Sequence, residues 1–203
     1  MKSSKIELWH DAIHSFDLSD YVDNQAIIEH CHEVRKEDPE GIIRSNVGGW
    51  RKAADRRINP ALDHMYDVAE KHINELCRRD FLMDQFLRMS YGWFNSNKGG
   101  DYNQDHTHPG AVLAAVYYIK QKPEQGGVRF TRHESFSFGI HQTIPEYMEG
   151  PHLANQFKSS EVYMPREYEL IVFPAWLAHS VEPNRSDEER LNIAMNFADP
   201  YNI

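Results

Sequence analysis

The spacing of apolar positions changes character near residue 87. Before it, the spacing is helical. Leu62, Met65, Tyr66, Ala69, Ile73 and Leu76 recur three or four residues apart, with Asn59 in the N-cap position and Pro60 in the first turn. This predicts a helix with one apolar face. An earlier helix is expected from about Asp20 to Lys36, capped by Ser19 and ended by Pro39 and Gly41, and a short strand at Ile6 to Trp9. From Leu87 onward, short β-type runs alternate with Gly, Pro, Asn and Asp: Leu87 to Phe94, Val112 to Lys120, Val128 to Thr131, Glu169 to Phe173, His179 to Val181 and Arg190 to Phe197. Short strands without helical crossovers predict an antiparallel sandwich or barrel, with the helices packed on one outer face. In the last strand Leu191, Ile193, Met195 and Phe197 share one face, while Arg190, Asn192, Ala194 and Asn196 share the other. The first face is expected to meet the helices and the second to line something polar. Between them in sequence, residues 132–160 form a long irregular stretch rich in aromatics, read as an ordered lid.

Composition narrows the class. A length of 203 residues fits one domain, divided into a helical support region (1–86), a β core (87–199) and the lid insertion (132–160). With 40% hydrophobic and 12% aromatic residues the chain can build a core. A net charge of -9 disfavours nucleic acid as a partner, because a phosphate backbone would be repelled on average. Arg129, Arg132, His133 and Arg166 near the lid read as scattered surface cations. Cys31 and Cys77, both in helical segments, read as two reduced thiols. The amino terminus has no apolar stretch of signal length, and no 18-residue uncharged apolar run occurs anywhere. The expectation is a cytoplasmic protein that neither spans a membrane nor is secreted.

The chain has 12 histidines, and His10, His14, His30, His32, His64 and His72 lie among polar residues where a solvated surface role suffices. The segment GGDYNQDHTHPG is different. His106 and His108, two residues apart, project from one face of an extended strand and suit a shared metal. His179, ending the run ELIVFPAWLAH, is a third candidate from another strand. Imidazole suits iron, zinc, copper or nickel, so these residues do not choose the metal. Arg190 begins the strand with the polar face. A guanidinium there requires an anion, either a bound carboxylate gripped by two parallel hydrogen bonds or an acid of the chain itself.

Together these features resemble the iron(II)- and 2-oxoglutarate-dependent oxygenase superfamily, in particular its prolyl-hydroxylase-like branch and a bacterial and phage group. There the pattern is His-x-Asp/Glu, a distal His, then Arg or Lys on the following strand. His106, His179 and Arg190 match it directly. VYYIK followed by GGVRF is similar to a prolyl-hydroxylase strand-turn-strand, with Tyr118 in the place of a tyrosine that binds the co-substrate's distal carboxylate. SNVGGW at 45–50, and W-x-N with KGG at 93–100, are similar to the bacterial and phage group. The resemblance implies a double-stranded β-helix, also called a jelly roll and shared with cupins. It implies Fe(II), 2-oxoglutarate and O2 as cofactors and co-substrates, and a dioxygenase that couples 2-oxoglutarate decarboxylation to hydroxylation of a small molecule or peptide side chain. It places Arg190 and Tyr118 on the co-substrate, with Asn192, Asn95 and Tyr91 as further contacts. One position departs from the pattern: His108 stands where the carboxylate ligand belongs. Three-histidine ligation, recruitment of Asp105 through a bulge, or a halogenase-like site with Gly110 in the carboxylate position are the alternatives. A three-histidine cupin-like dioxygenase independent of 2-oxoglutarate, or a non-catalytic binding module, are the rival functions.

Overall fold

The computed structural model describes residues 12–80, 86–131 and 160–201. In chain order its elements are β1 (His14–Asp17), α1 (Asn24–Glu37), β2 (Asn46–Val47), β3 (Trp50–Ala53), α2 (Pro60–Asp80), β4 (Arg88–Asn97), β5 (Tyr102–His106), β6 (Leu113–Lys120), a 3-10 turn (Pro123–Gln125), β7 (Val128–Thr131), β8 (Ser160–Tyr163), β9 (Glu169–Pro174), β10 (Ala178–Val181) and β11 (Arg190–Ala198). The strands form a six-stranded sheet, β1-β9-β6-β11-β4-β3, and a five-stranded sheet, β2-β5-β10-β7-β8. Among the described residues every strand pair is antiparallel. Two facing sheets of this kind make a jelly roll, mainly β with helices on one outer face.

The helices form for the reasons legible in the sequence. The Asn59 side chain accepts hydrogen bonds from the Ala61 and Leu62 N–H groups at 2.9 and 3.1 Å, so α2 starts at Pro60 as expected. Helix α1 starts later than Ser19 would allow: Asp23 caps it by accepting from the Ala26 N–H at 3.1 Å. The intervening residues form a turn: Leu18 is fully buried with its N–H bonded to the Tyr168 carbonyl, and its own carbonyl accepts from the Tyr21 N–H at 3.0 Å.

The two sides of the six-stranded sheet do different work. One side meets the helices: Leu191, Ile193, Met195 and Phe197 of β11 pack in one cluster with Ile27, Met65 and Ile73 of the helices. Burial of such side chains contributes about 1.5 to 3 kcal/mol each, which makes this the main hydrophobic reservoir of the fold. The other side faces the five-stranded sheet, where Val116, Ile171, Phe173 and Ala194 pack with Val128 and Phe130. Cys31 and Cys77 are free thiols in the helix-side core, and burial pushes Cys31 up to about 12. The first 86 residues also supply strands β1, β2 and β3 at the sheet edges, in addition to the two helices. The strand expected at Ile6 to Trp9 and all of the lid expected at 132–160 except Ser160, the first residue of β8, lie outside the described residues.

Glu189 ties helix α1 to the sheet. It accepts from the Ser96 hydroxyl at 2.6 Å and Lys120 Nζ at 3.1 Å, meets His32 Nε2 at 2.9 Å and lies 3.6 Å from Arg35. Burial alone would raise its pKa, but the hydrogen bonds of Ser96, His32 and Lys120 overcome this and hold the carboxyl at about 2, against an ordinary 4.5. A folded pKa below the unfolded one gives stability that is complete above the unfolded value and is lost as pH falls toward the folded one. Glu189→Gln is therefore expected to lower unfolding free energy at neutral pH by on the order of 3 kcal/mol. The difference from native protein should narrow as pH falls from 4.5 to about 2. Denaturant titrations across that range measure it, and a pH-independent difference would remove the ionic explanation.

Candidate metal centre

A shared register and a bulge bring the three histidines together. His106 on β5 sits directly opposite His179 on β10. Two residues further along β10, Val181 pairs with Asn103, three residues back along β5, so β5 carries one extra residue at Gln104–Asp105. The extra residue lets Asn103 and His106 both face the interior despite their odd spacing, and both line the same cavity as His179. Asp105 stays exposed and lines a groove on the outer surface with Arg129 and Glu182. The bulge thus exists without turning this carboxylate inward. Strand β5 ends at His106, so His108 is not on a continuous strand with it; the His108 N–H is instead held by the Ala175 carbonyl at 2.9 Å.

The ring geometry is tight. The candidate ligand atoms of His106, His108 and His179 all lie within 4.8 Å of one another. His108 and His179 approach through their Nε2 atoms at 3.2 Å, and the ring centroids are 4.3 Å (His106–His179), 5.0 Å (His108–His179) and 5.3 Å (His106–His108) apart. The opposite edge of each ring is occupied. Nδ1 of His106 bonds the Gln104 carbonyl at 2.7 Å, that of His179 the Leu177 carbonyl at 2.9 Å, and that of His108 the Asn196 Oδ1 at 2.5 Å. A carbonyl oxygen can only accept, so Nδ1 carries the proton and Nε2 presents its lone pair to the centre. Burial pushes all three imidazoles below their ordinary value, opposed by the Nδ1 hydrogen bonds; the charge of Arg51 adds to the lowering at His106 and His108, and the neighbouring imidazoles add to it at His108 and His179. His108 reaches about 4 and His179 about 3. At neutral pH the centre holds three uncharged donors. Among the described residues no carboxylate joins the cluster.

A polar row crosses the facing sheet. Register partners Arg51 (β3), Asn95 (β4), Asn192 (β11) and Tyr118 (β6) sit side by side on its inner face. Asn95 donates to Asn192 Oδ1 at 2.8 Å, and Asn95, Asn192 and Tyr118 line the cavity with the histidines. Beside this row on β11, two residues before Asn192, stands Arg190, fully buried. Its Nη1 donates to the carbonyls of Gln125 and, at 2.9 Å, Glu182, while Nε and Nη2 have no partner among the described residues. These two donors form one edge of the guanidinium, the edge that fits a carboxylate side-on. Among the described residues no acid pairs with Arg190, so the internal salt bridge weighed from sequence is not formed there.

Other expected residues are placed elsewhere. Tyr91 is 37% exposed and stacks on Trp93 at the cavity mouth, apart from Tyr118 and Asn192. Arg129 pairs with Glu182 at 2.8 Å and Arg166 with Glu169 at 3.3 Å, so neither is a free cation; Arg132 and His133 lie outside the described residues. Arg51 was missed from sequence. Its signal was the alternation in Trp50-Arg51: Trp50 belongs to the helix-side core, which sends Arg51 to the inner face. The SNVGGW segment has a steric reason as well. Gly48 adopts φ +82°, and a Cβ on Gly48 or Gly49 would come within 2.0 Å of Asp101 or 2.2 Å of Asn97.

Fold and site together define a jelly-roll protein whose interior holds a cluster of three neutral imidazoles and, on the other sheet, a buried arginine with two donors unpartnered among the described residues. Residues 91–196 match the family described as "Putative 2OG-Fe(II) oxygenase", and the chain belongs to that family, whose members use iron(II) and 2-oxoglutarate. Similar solved structures include a Pseudomonas putida prolyl-4-hydroxylase (15% identity, 93% of each chain covered, TM-score 0.61). The 2-oxoglutarate-dependent carbocyclase SnoK of nogalamycin biosynthesis is also similar (16% identity, 93% and 80% covered, TM-score 0.64). So is HygX of Streptomyces hygroscopicus with nickel and 2-oxoglutarate bound (10% identity, 94% and 84% covered, TM-score 0.60). At these identities the likeness is one of fold. Among curated proteins no sequence match is found. No helix of the described residues is long and apolar enough to cross a membrane.

Proposed function

We propose that this chain, as one domain, is a 2-oxoglutarate-dependent dioxygenase that hydroxylates a small molecule or peptide side chain, with iron(II) held by His106, His108 and His179. The observation that carries the reading is the pairing of two donor sets between the sheets: three inward Nε2 lone pairs, and the Nε–Nη2 edge of Arg190, which has no partner among the described residues. The first fits a first-row metal, the second a carboxylate. A cupin-like dioxygenase independent of 2-oxoglutarate would leave that arginine edge without a purpose.

When bound, iron(II) and 2-oxoglutarate supply the oxidation, in which O2 is consumed, carbon dioxide and succinate are released and one oxygen atom enters the substrate. The protein's own residues orient and shield. Arg190 takes the distal carboxylate of 2-oxoglutarate side-on, and Tyr118, buried in the same interior, hydrogen-bonds it. Asn95 and Asn192, bonded to each other, hold the polar floor between that carboxylate and the histidines. Val116, Val128 and Ala194 line the cavity with apolar surface and restrict water. Carbonyl and amide partners on each Nδ1 fix ring orientation and tautomer. His108, in place of a carboxylate, leaves the centre one unit more positive than a two-histidine, one-carboxylate set. Hydroxylation as the outcome is supported by the resemblance to prolyl hydroxylases.

The test is calorimetric titration of anaerobic iron(II)-loaded protein with 2-oxoglutarate, followed by succinate measurement on admitting air. Binding at millimolar concentration or tighter with slow succinate release is expected; no binding would favour the 2-oxoglutarate-independent reading. A further expectation concerns Asn196, whose amide oxygen orients His108. Asn196→Leu should weaken metal affinity about 10- to 100-fold, the usual cost of losing such a partner, measured by competition with a chromophoric chelator.

A further inference from the structure

The mouth of the cavity carries a cation that the oxygenase reading does not use. Arg51 is 9% exposed and its guanidinium lies 4.6 Å from the Trp93 ring centroid; Trp93 in turn stacks on His108 at 5.6 Å. One indole thus separates Arg51 from the histidine cluster. Arg51 and Arg44 line the mouth beside His106 and His108, and among the described residues that lining contains no acid. Among the described residues neither arginine side chain has a carboxylate partner, although the chain as a whole carries charge -9. Burial and the like charge of Arg44 both act against the protonated form of Arg51, with Tyr91 opposing them. A cation–π contact contributes only about 0.5 to 2 kcal/mol, less than the cost of burying an unpaired cation. Two guanidinium groups at one mouth, one buried and one exposed, without a carboxylate partner among the described residues, suit an oxyanion.

We propose that Arg51, with Arg44 at the rim, binds a carboxylate or phosphate group of the substrate, so that this oxygenase acts on an anionic compound. The inference rests on the histidine cluster being the reaction centre, from which Trp93 spaces the anion. Arg190, two strands away from Arg51 on β11, is a separate anion site, reserved for the co-substrate.

The experiment uses zinc-loaded, diamagnetic protein saturated with 2-oxoglutarate, titrated at constant ionic strength with sodium phosphate or sodium acetate, and follows the Trp93 indole N–H by NMR. Chloride at matched ionic strength is the control. Native protein should show saturable shifts in the millimolar range with at least one anion, and the tighter one identifies phosphate or carboxylate. Arg51→Gln should weaken binding about tenfold or more, and Arg51→Lys should keep part of it. Signal dispersion checks the fold of each variant. Absence of saturable binding by native protein, or equal binding by native and Arg51→Gln, overturns the proposal. Failure of the co-substrate reading shows separately, as a protein that does not bind 2-oxoglutarate yet still binds the anion through Arg51.

Discussion

His179→Ala is expected to lose metal and succinate formation together. His179 is the hub of the cluster: its Nε2 lies 3.2 Å from that of His108, its ring centroid lies 4.3 Å from that of His106, and it is only 3% exposed. Loss of a hydrogen-bond partner behind a ligand already costs about 10- to 100-fold in metal affinity, so loss of the ligand itself should exceed 100-fold. The remaining two imidazoles would face a cavity with one side open to water. Metal content after equilibrium dialysis, with succinate measured on the same samples, gives the answer. His108→Asp should keep the metal, because a carboxylate at that position restores the ligand set common in the superfamily. Stoichiometric metal in His179→Ala, or none in His108→Asp, would count against the assignment.

Arg190→Ala should spare the metal and remove the co-substrate. The guanidinium is fully buried, two carbonyls hold its Nη1, and its other edge is open. A hydrogen bond to a charged partner contributes roughly 1.5 to 3 kcal/mol, so losing a bidentate contact should weaken 2-oxoglutarate binding about tenfold to several hundredfold. Tyr118→Phe, which removes one hydroxyl and keeps the ring, should cost less. Anaerobic calorimetry with 2-oxoglutarate compares both variants with native protein. Unchanged affinity in Arg190→Ala would refute the role given to that open edge.

What the sequence revealed depended on how far each signal reached. The α2 cap and the alternation of β11 were legible because each is written in neighbouring residues, and both the core and the polar face follow from them. Strands β1, β2 and β3 were not, because two to four residues cannot establish a period, and the sheet edges that recruit them lie far away in sequence. The bulge in β5 was invisible for the same reason: it is a mismatch with β10, some seventy residues later. Asp105 could be judged against His106 only once that mismatch was known. Arg51 was overlooked because Arg in a short run of mixed residues looks solvated until Trp50 fixes which way it faces.

The centre also joins the halves of the fold. His106 and His179 belong to the five-stranded sheet, whereas His108 is held by Asn196 on β11 of the six-stranded sheet. An ion bound by all three would therefore act as a staple across the sandwich, and its binding energy would appear partly as resistance to the sheets parting. Mass action then makes metal a stabiliser, adding about 2.7 kcal/mol when free ion exceeds its dissociation constant a hundredfold. Opening of the jelly roll and loss of the ion would be a single event, so chelators should lower the melting temperature as well as the activity.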